Sequence, residues 1–266
     1  MNKNDFQEVK LAKGNVRVYD RDGVKLHAYQ TNDLIDDEVF IVEKDGCGFV
    51  LELPCFFDNI QELEKYLANA DIKIEGILAA YHMAGGTFLK GTPVYATESA
   101  DKYGHEGGGK DLIDNFTAAF GDAFDSSICT VTNIIDEGPL TLGGIEVNIL
   151  PNDEAFDVEI PALNTVYTHM LGHDCHSIVA GAGHADAIIT QLKGFENDGF
   201  DLVLTSHYTP EDLKDVQTKI DYLEELKRIA SQCESKQEFE AAVEQQYPTY
   251  SGQNYLDMTA GFFFAE

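Results

Sequence analysis

The chain opens on short apolar runs, Val16 to Tyr19, Val24 to Tyr29, Val39 to Glu43 and Gly48 to Leu53, parted by Arg21-Asp22-Gly23 and Lys44-Asp45-Gly46. An Asp-Gly pair between alternating apolar segments signals a tight hairpin, so this stretch reads as a β-meander. A helix follows, with Asp58 as N-cap, Gln61 three residues on, and Ile60, Leu63 and Leu67 on one face. Strands Ile74 to Ala80 and Pro93 to Ala96 come next. The second half has a similar plan: strands Ile128 to Thr132, Ile145 to Leu150, Thr165 to Thr168 and Ser177 to Ala180, helix Ala185 to Phe195, and strand Phe200 to Ser206. A long helix starts at Thr209 as N-cap with Pro210 in its first turn, and Ser235 with Glu238 opens another. Two similar halves predict an α/β (α+β) fold, a four-layer αββα sandwich, in a single domain over residues 1–266.

Charge narrows the partners. Lys and Arg total 18 against 47 Asp and Glu, a net charge of −29, which repels phosphate backbones and anionic bilayers. Nucleic acid and membrane are therefore not expected as partners; a small-molecule substrate is, with a homodimer left open. Met1 to Gly14 is polar, without the apolar core of a signal peptide, and no apolar run approaches a membrane span, so a cytoplasmic protein is expected. Cys47, Cys55, Cys129, Cys175 and Cys233 make an odd set with no Cys-x-x-Cys pair, which indicates neither a disulfide framework nor a thiolate zinc ribbon.

Three apolar runs end in histidine: Ile77-Leu78-Ala79-Ala80-Tyr81-His82, Val166-Tyr167-Thr168-His169, and Leu202-Val203-Leu204-Thr205-Ser206-His207. A histidine just beyond a strand end is held by a rigid element yet reaches the rim of the sheet, where neutral imidazole can ligate a metal. A fourth strand, ending in Pro151-Asn152-Asp153, places a carboxylate similarly. One such histidine is most simply a surface or core residue; three together point to a metal site.

At these residues the chain resembles the metallo-β-lactamase superfamily, whose αββα layout matches nearly the whole length. Members carry an Asp-containing turn where this chain has Leu51-Glu52-Leu53-Pro54, and a His-x-His-x-Asp-His motif where it reads Ala80-Tyr81-His82-Met83-Ala84-Gly85. In one register only His82 of that motif remains; in another His82 is its last histidine. The family's Pro-Gly-His turn falls on Pro151-Asn152-Asp153, its Thr-Gly-Asp turn on Tyr167-Thr168-His169, and its final histidine on His207. The resemblance thus implies His82, Asp153, His169 and His207 as ligands of one divalent ion, zinc first and iron or manganese as alternatives, and metal-dependent hydrolysis of an ester, thioester or phosphodiester. Ala84 stands where the family's water-orienting Asp would be, so Glu154, Tyr81 or Tyr208 is expected to substitute.

Two rival readings stay open: non-haem iron oxygenase-like chemistry, which uses two histidines and a carboxylate, and a metal-free, non-catalytic binding protein that keeps the fold. His173 and His176, in the loop after His169, can join the site only if that loop folds inward. Gly104 to Gly109 reads as an irregular, mobile lid. The P-loop-like spacing Gly104 to Lys110 is rejected because Asp111 replaces the magnesium-binding hydroxyl.

Overall fold

The computed structural model describes residues 1–169 and 172–264. In chain order the elements are β1 (Gln7–Lys10), β2 (Asn15–Arg21), β3 (Val24–Gln30), β4 (Glu38–Lys44), β5 (Cys47–Leu51), α1 (Phe57–Asn69), β6 (Lys73–Leu78), β7 (Val94–Ala96), α2 (Glu98–Glu106) and α3 (Gly108–Phe120). Then come β8 (Asn133–Ile134), β9 (Gly138–Leu142), β10 (Ile145–Pro151), β11 (Phe156–Ile160), β12 (Thr165–Tyr167), α4 (Ala182–Asp198), β13 (Leu202–Thr205), β14 (Tyr208–Glu211), α5 (Leu213–Ala230), α6 (Lys236–Gln246) and α7 (Gln253–Phe263). The chain groups into two compact units, residues 1–169 with 201–210, and 170–200 with 211–266.

The first unit carries the sheets. One runs β1 to β8 in order, the other β14-β13-β12-β11-β10-β9. The β2–β5 meander forms as its turns dictate: Asp22 and Gly23, and Asp45 and Gly46, all take positive φ, the type I′ pattern of a two-residue hairpin. After α1 the pairing becomes parallel through β6, β7 and β8, and β12 also lies parallel to β13. One apolar cluster joins both sheets, with Leu26, Phe40 and Phe49 from the first and Val147, Phe156 and Leu204 from the second fully buried. Phe40 meets the Tyr167 ring edge-on at 6.1 Å between centroids.

Several predicted elements move. The helix expected from Thr209 begins at Leu213: Asp212 accepts from the N–H groups of Lys214 and Asp215, the Asp215 carboxylate accepts in return from the N–H of Asp212, and Thr209 and Pro210 lie in β14. Ser177 to Ala180 forms no ladder, because the Thr259 hydroxyl accepts from Val179 N and donates to the Ser177 carbonyl instead. Ile128 to Thr132 is not a strand; only Asn133 and Ile134 join the sheet. The expected irregular lid is mostly helix, with Gly104 buried inside α2. All five cysteines are free, and among the described residues no helix is long and apolar enough to cross a membrane.

Candidate metal centre

His82, His169 and His207 follow the ends of β6, β12 and β13, and each offers a nitrogen within 4.8 Å of the others. The Nε2 atoms of His82 and His169 stand 3.4 Å apart. Two nitrogens held about 2.0–2.1 Å from one tetrahedral ion are separated by about 3.4 Å, so this edge has the span of a ligand pair. Ring centroids lie 5.4 Å apart for His82 and His169, 4.9 Å for His82 and His207, and 5.3 Å for His169 and His207.

Two of the rings are held by their neighbours. Tyr81 stacks flat on His169, 4.2 Å between centroids and 9° between planes, and its hydroxyl accepts from Asn152 Nδ2 at 2.7 Å. His207 Nδ1 lies 3.2 Å from the Ile35 carbonyl. A carbonyl only accepts, so Nδ1 carries the hydrogen and Nε2 keeps its lone pair. Burial holds His82 down at about 4 and His207 at about 3, and pushes His169 well below the ordinary histidine range. All three are therefore neutral at pH 7, the form that ligates a metal.

The loop bearing His82 is organised by Glu52. Glu52 is fully buried in a left-handed conformation, φ 68°, at the end of β5. Its Oε1 accepts from Tyr81 N at 2.9 Å and from the Tyr167 hydroxyl, and its Oε2 accepts from His82 N at 2.9 Å. The Ala80 N–H adds a further bond to the carboxylate. Burial pushes Glu52 up to about 7, against the downward pull of these donors.

Behind the histidines sits Asp37, which the sequence reading did not single out. Its Oδ1 lies 3.3 Å from His207 Nδ1 and 3.6 Å from His82 Nδ1, and its Oδ2 accepts from the Cys55 thiol at 3.1 Å. Burial, with Asp33 and Glu52 nearby, raises its pKa well above the ordinary carboxylate range. Asp37 Oδ1 and His82 Nδ1 are both buried without a hydrogen-bond partner. A sequence cue existed: Asp36-Asp37-Glu38 runs directly into the apolar Val39 to Val42, and acidic residues at such a boundary ask for a buried partner.

The other sequence candidates fall differently. Asp153 is exposed in the turn after β10 and is not brought into the histidine cluster. That turn is shaped by Asn152, whose Oδ1 accepts from Glu154 N and Ala155 N while its Nδ2 reaches the Tyr81 hydroxyl. Glu154 is exposed, and its charge acts on Tyr81. Tyr208 is half-buried in β14. Ala84 is buried and bridges to the Ile128 backbone.

In the second unit, His173 Nδ1 bonds Glu211 Oε1 at 2.7 Å and His176 Nδ1 meets the Tyr222 hydroxyl at 2.8 Å, so both serve local packing. Two further groups have metal-ligand types in reach: Asp33, Asp37 and Cys55, and His173, Glu211 and Asp215. In the latter, Glu211 is already engaged by the N–H groups of Gly172 and His173.

A metal fits the histidine cluster on two counts. Three neutral imidazoles converge, and a buried carboxylate beside them has an oxygen that no donor satisfies, which a nearby cation would compensate.

Comparison with solved structures agrees on architecture. The chain is similar to a variant of the sec-alkyl sulfatase PisA1 of Pseudomonas sp., with TM-score 0.64 and 11% identity, over 93% of this chain and 50% of that one. It therefore spans about half the length of the sulfatase. It is also similar to a metallo-β-lactamase family protein of Thermus thermophilus, with TM-score 0.60 and 12% identity over 91% of each chain. A metallo-β-lactamase of Erythrobacter litoralis gives 0.56 and 13%, over 82% of this chain and all of its own. No family model and no curated protein matches the sequence. The chain has the metallo-β-lactamase fold, the mixed α/β arrangement of sheets and helices that the sequence led us to expect.

Proposed function

We propose that the protein is a metal-dependent hydrolase whose single divalent ion is held by His82, His169 and His207. The observation that supports this most directly is the meeting of three neutral imidazoles from three separate strand ends, two of their Nε2 atoms 3.4 Å apart. Three histidines suit zinc, and a three-ligand set is the catalytic pattern, since structural zinc sites fill all four positions with protein. Bound there, such an ion lowers the pKa of water to about 7 and polarises a carbonyl or phosphoryl oxygen.

The remaining roles belong to the chain's own side chains. Burial first, and the nearby Asp157 carboxylate next, raise the pKa of Tyr81, so its hydroxyl stays protonated. With Asn152 donating to its oxygen, the Tyr81 O–H is left to donate to a substrate oxygen, and we assign it that role. Glu154, exposed and acting on Tyr81 through its charge, is the group we assign to proton acceptance; Tyr208, beside His207 in sequence, is the alternative donor. The net charge of −29 favours esters and thioesters over phosphodiesters. An iron-oxygenase ligand set loses its carboxylate with Asp153 outside the cluster.

Zinc reconstitution followed by elemental analysis tests the proposal. The wild type is expected to hold one zinc per chain, and His82→Ala, His169→Ala and His207→Ala each to lose it, while Asp153→Ala keeps it. Chelation should abolish hydrolysis of a panel of p-nitrophenyl esters and acyl thioesters. A wild type that binds no zinc would instead support the metal-free binding reading.

A further inference from the structure

The two sides of the His82 ring face different chemistry. Its Nε2 meets His169 Nε2, while its Nδ1 is turned to Asp37 Oδ1. The two ring nitrogens point away from each other, so Asp37 cannot share an ion with His82 Nε2; it lies behind the ring. The same oxygen lies 3.3 Å from His207 Nδ1, whose hydrogen goes to the Ile35 carbonyl. We propose that Asp37 is a shared positioning residue: its one oxygen, Oδ1, lies beside the Nδ1 atoms of both His82 and His207, favours the hydrogen on Nδ1 in each ring, and thereby leaves both Nε2 lone pairs free for one ion. This rests on the metal reading above, and it assigns a role to a residue outside the ligand set.

The surroundings fit a single purpose. Asp37 is completely buried, and among the described residues the basic side chains within 4 Å of its carboxyl group are those two histidines, with no Lys or Arg. Its second oxygen is occupied by the Cys55 thiol, which fixes the plane of the carboxylate and leaves Oδ1 facing the rings.

The backbone is pinned on both sides. Asp33 Oδ1 accepts from Asp37 N, and the Asp37 carbonyl accepts from Thr31 N at 3.0 Å and from the Thr31 hydroxyl at 2.8 Å. One residue on, Glu38 N donates to the Ser206 carbonyl at 2.6 Å, tying this loop to the turn that carries His207. A side chain meant only to fill space would not place a carboxyl group in so constrained a buried position, because burying an unsatisfied polar group is costly. A carboxylate behind a ligating imidazole fixes its tautomer and raises its basicity, and losing such a partner typically lowers metal affinity about 10–100-fold.

The test has two arms. In the first, zinc affinity is measured by chelator competition for wild type, Asp37→Asn and Asp37→Leu. Asn keeps one acceptor and should lose about ten-fold, Leu keeps none and should lose about a hundred-fold. In the second, long-range ¹H–¹⁵N spectra of the metal-free wild type report the histidine tautomers, and no variant is needed. His82 and His207 should both carry the hydrogen on Nδ1, and in Asp37→Leu His82 should lose that preference. Affinities unchanged in both variants, or a wild-type His82 protonated on Nε2, would overturn the assignment. If wild type binds no zinc, the metal reading fails, and the tautomer arm still decides what Asp37 does to the rings.

Discussion

Glu52→Gln isolates what holds the His82 loop. Glu52 Oε1 takes two donors, Tyr81 N and the Tyr167 hydroxyl, and Oε2 takes His82 N. A glutamine must present an NH₂ on one side, which leaves at least one of these donors facing another donor. An unsatisfied buried N–H costs about 1–3 kcal/mol, which sets the expected loss. Glu52→Ala strips every acceptor and opens a cavity, so it should cost more, about 3–5 kcal/mol.

Glu52→Gly separates hydrogen bonding from strain. At φ 68° a side chain is held where only glycine sits freely, so the glycine variant should be about 1 kcal/mol more stable than the alanine one. Urea unfolding in EDTA, followed by far-UV circular dichroism, gives all three numbers. A Glu52→Gln loss below about 0.5 kcal/mol would refute the claim that this carboxylate organises the loop, and a glycine variant no better than alanine would refute the strain argument.

The histidines predict a pH response in the metal-free protein. His82 falls from the ordinary 6.5 to about 4 on folding, so its contribution is fully present above 6.5 and is lost as pH falls toward 4, in all on the order of 3 kcal/mol. Glu52 and Asp37, raised on folding, pull the other way, so the readout is a difference: between pH 7.5 and 4.5 the urea midpoint of His82→Gln, which cannot titrate, should fall less or rise more than that of the wild type, and equal slopes would contradict the burial of His82. Two glycines near His82 should respond unequally to alanine. At Gly104 a Cβ would stand 2.2 Å from Met83 Cγ, a side chain able to shift, so about 1–3 kcal/mol is expected. At Gly85, with φ 86°, it would stand 2.1 Å from the Pro54 carbonyl, which cannot move aside, so the melting temperature of Gly85→Ala should fall further than that of Gly104→Ala.

What the sequence made legible was whatever depends on neighbours along the chain. The Asp-Gly hairpins, the α1 face of Ile60, Leu63 and Leu67, and histidines at strand ends are local patterns, and they stand where the periodicity places them. Phe156 to Ile160, apolar at every second position, carries the same period-two signal for β11. The long helix began at Asp212 because a reciprocal cap between Asp212 and Asp215 outcompetes the Thr209-Pro210 signal once β14 claims those residues for a sheet. Asp153 matches the family by its turn alone, and reaching three histidines needs a direction that no spacing encodes. Asp37 and Glu52 show the complementary case. Their partners lie 170 and 115 residues away, at His207 and Tyr167, so their value exists only after two sheets have packed. A candidate metal site is therefore readable in sequence down to the histidines at strand ends, while the contacts its neighbouring carboxyl groups make are visible only in the folded chain.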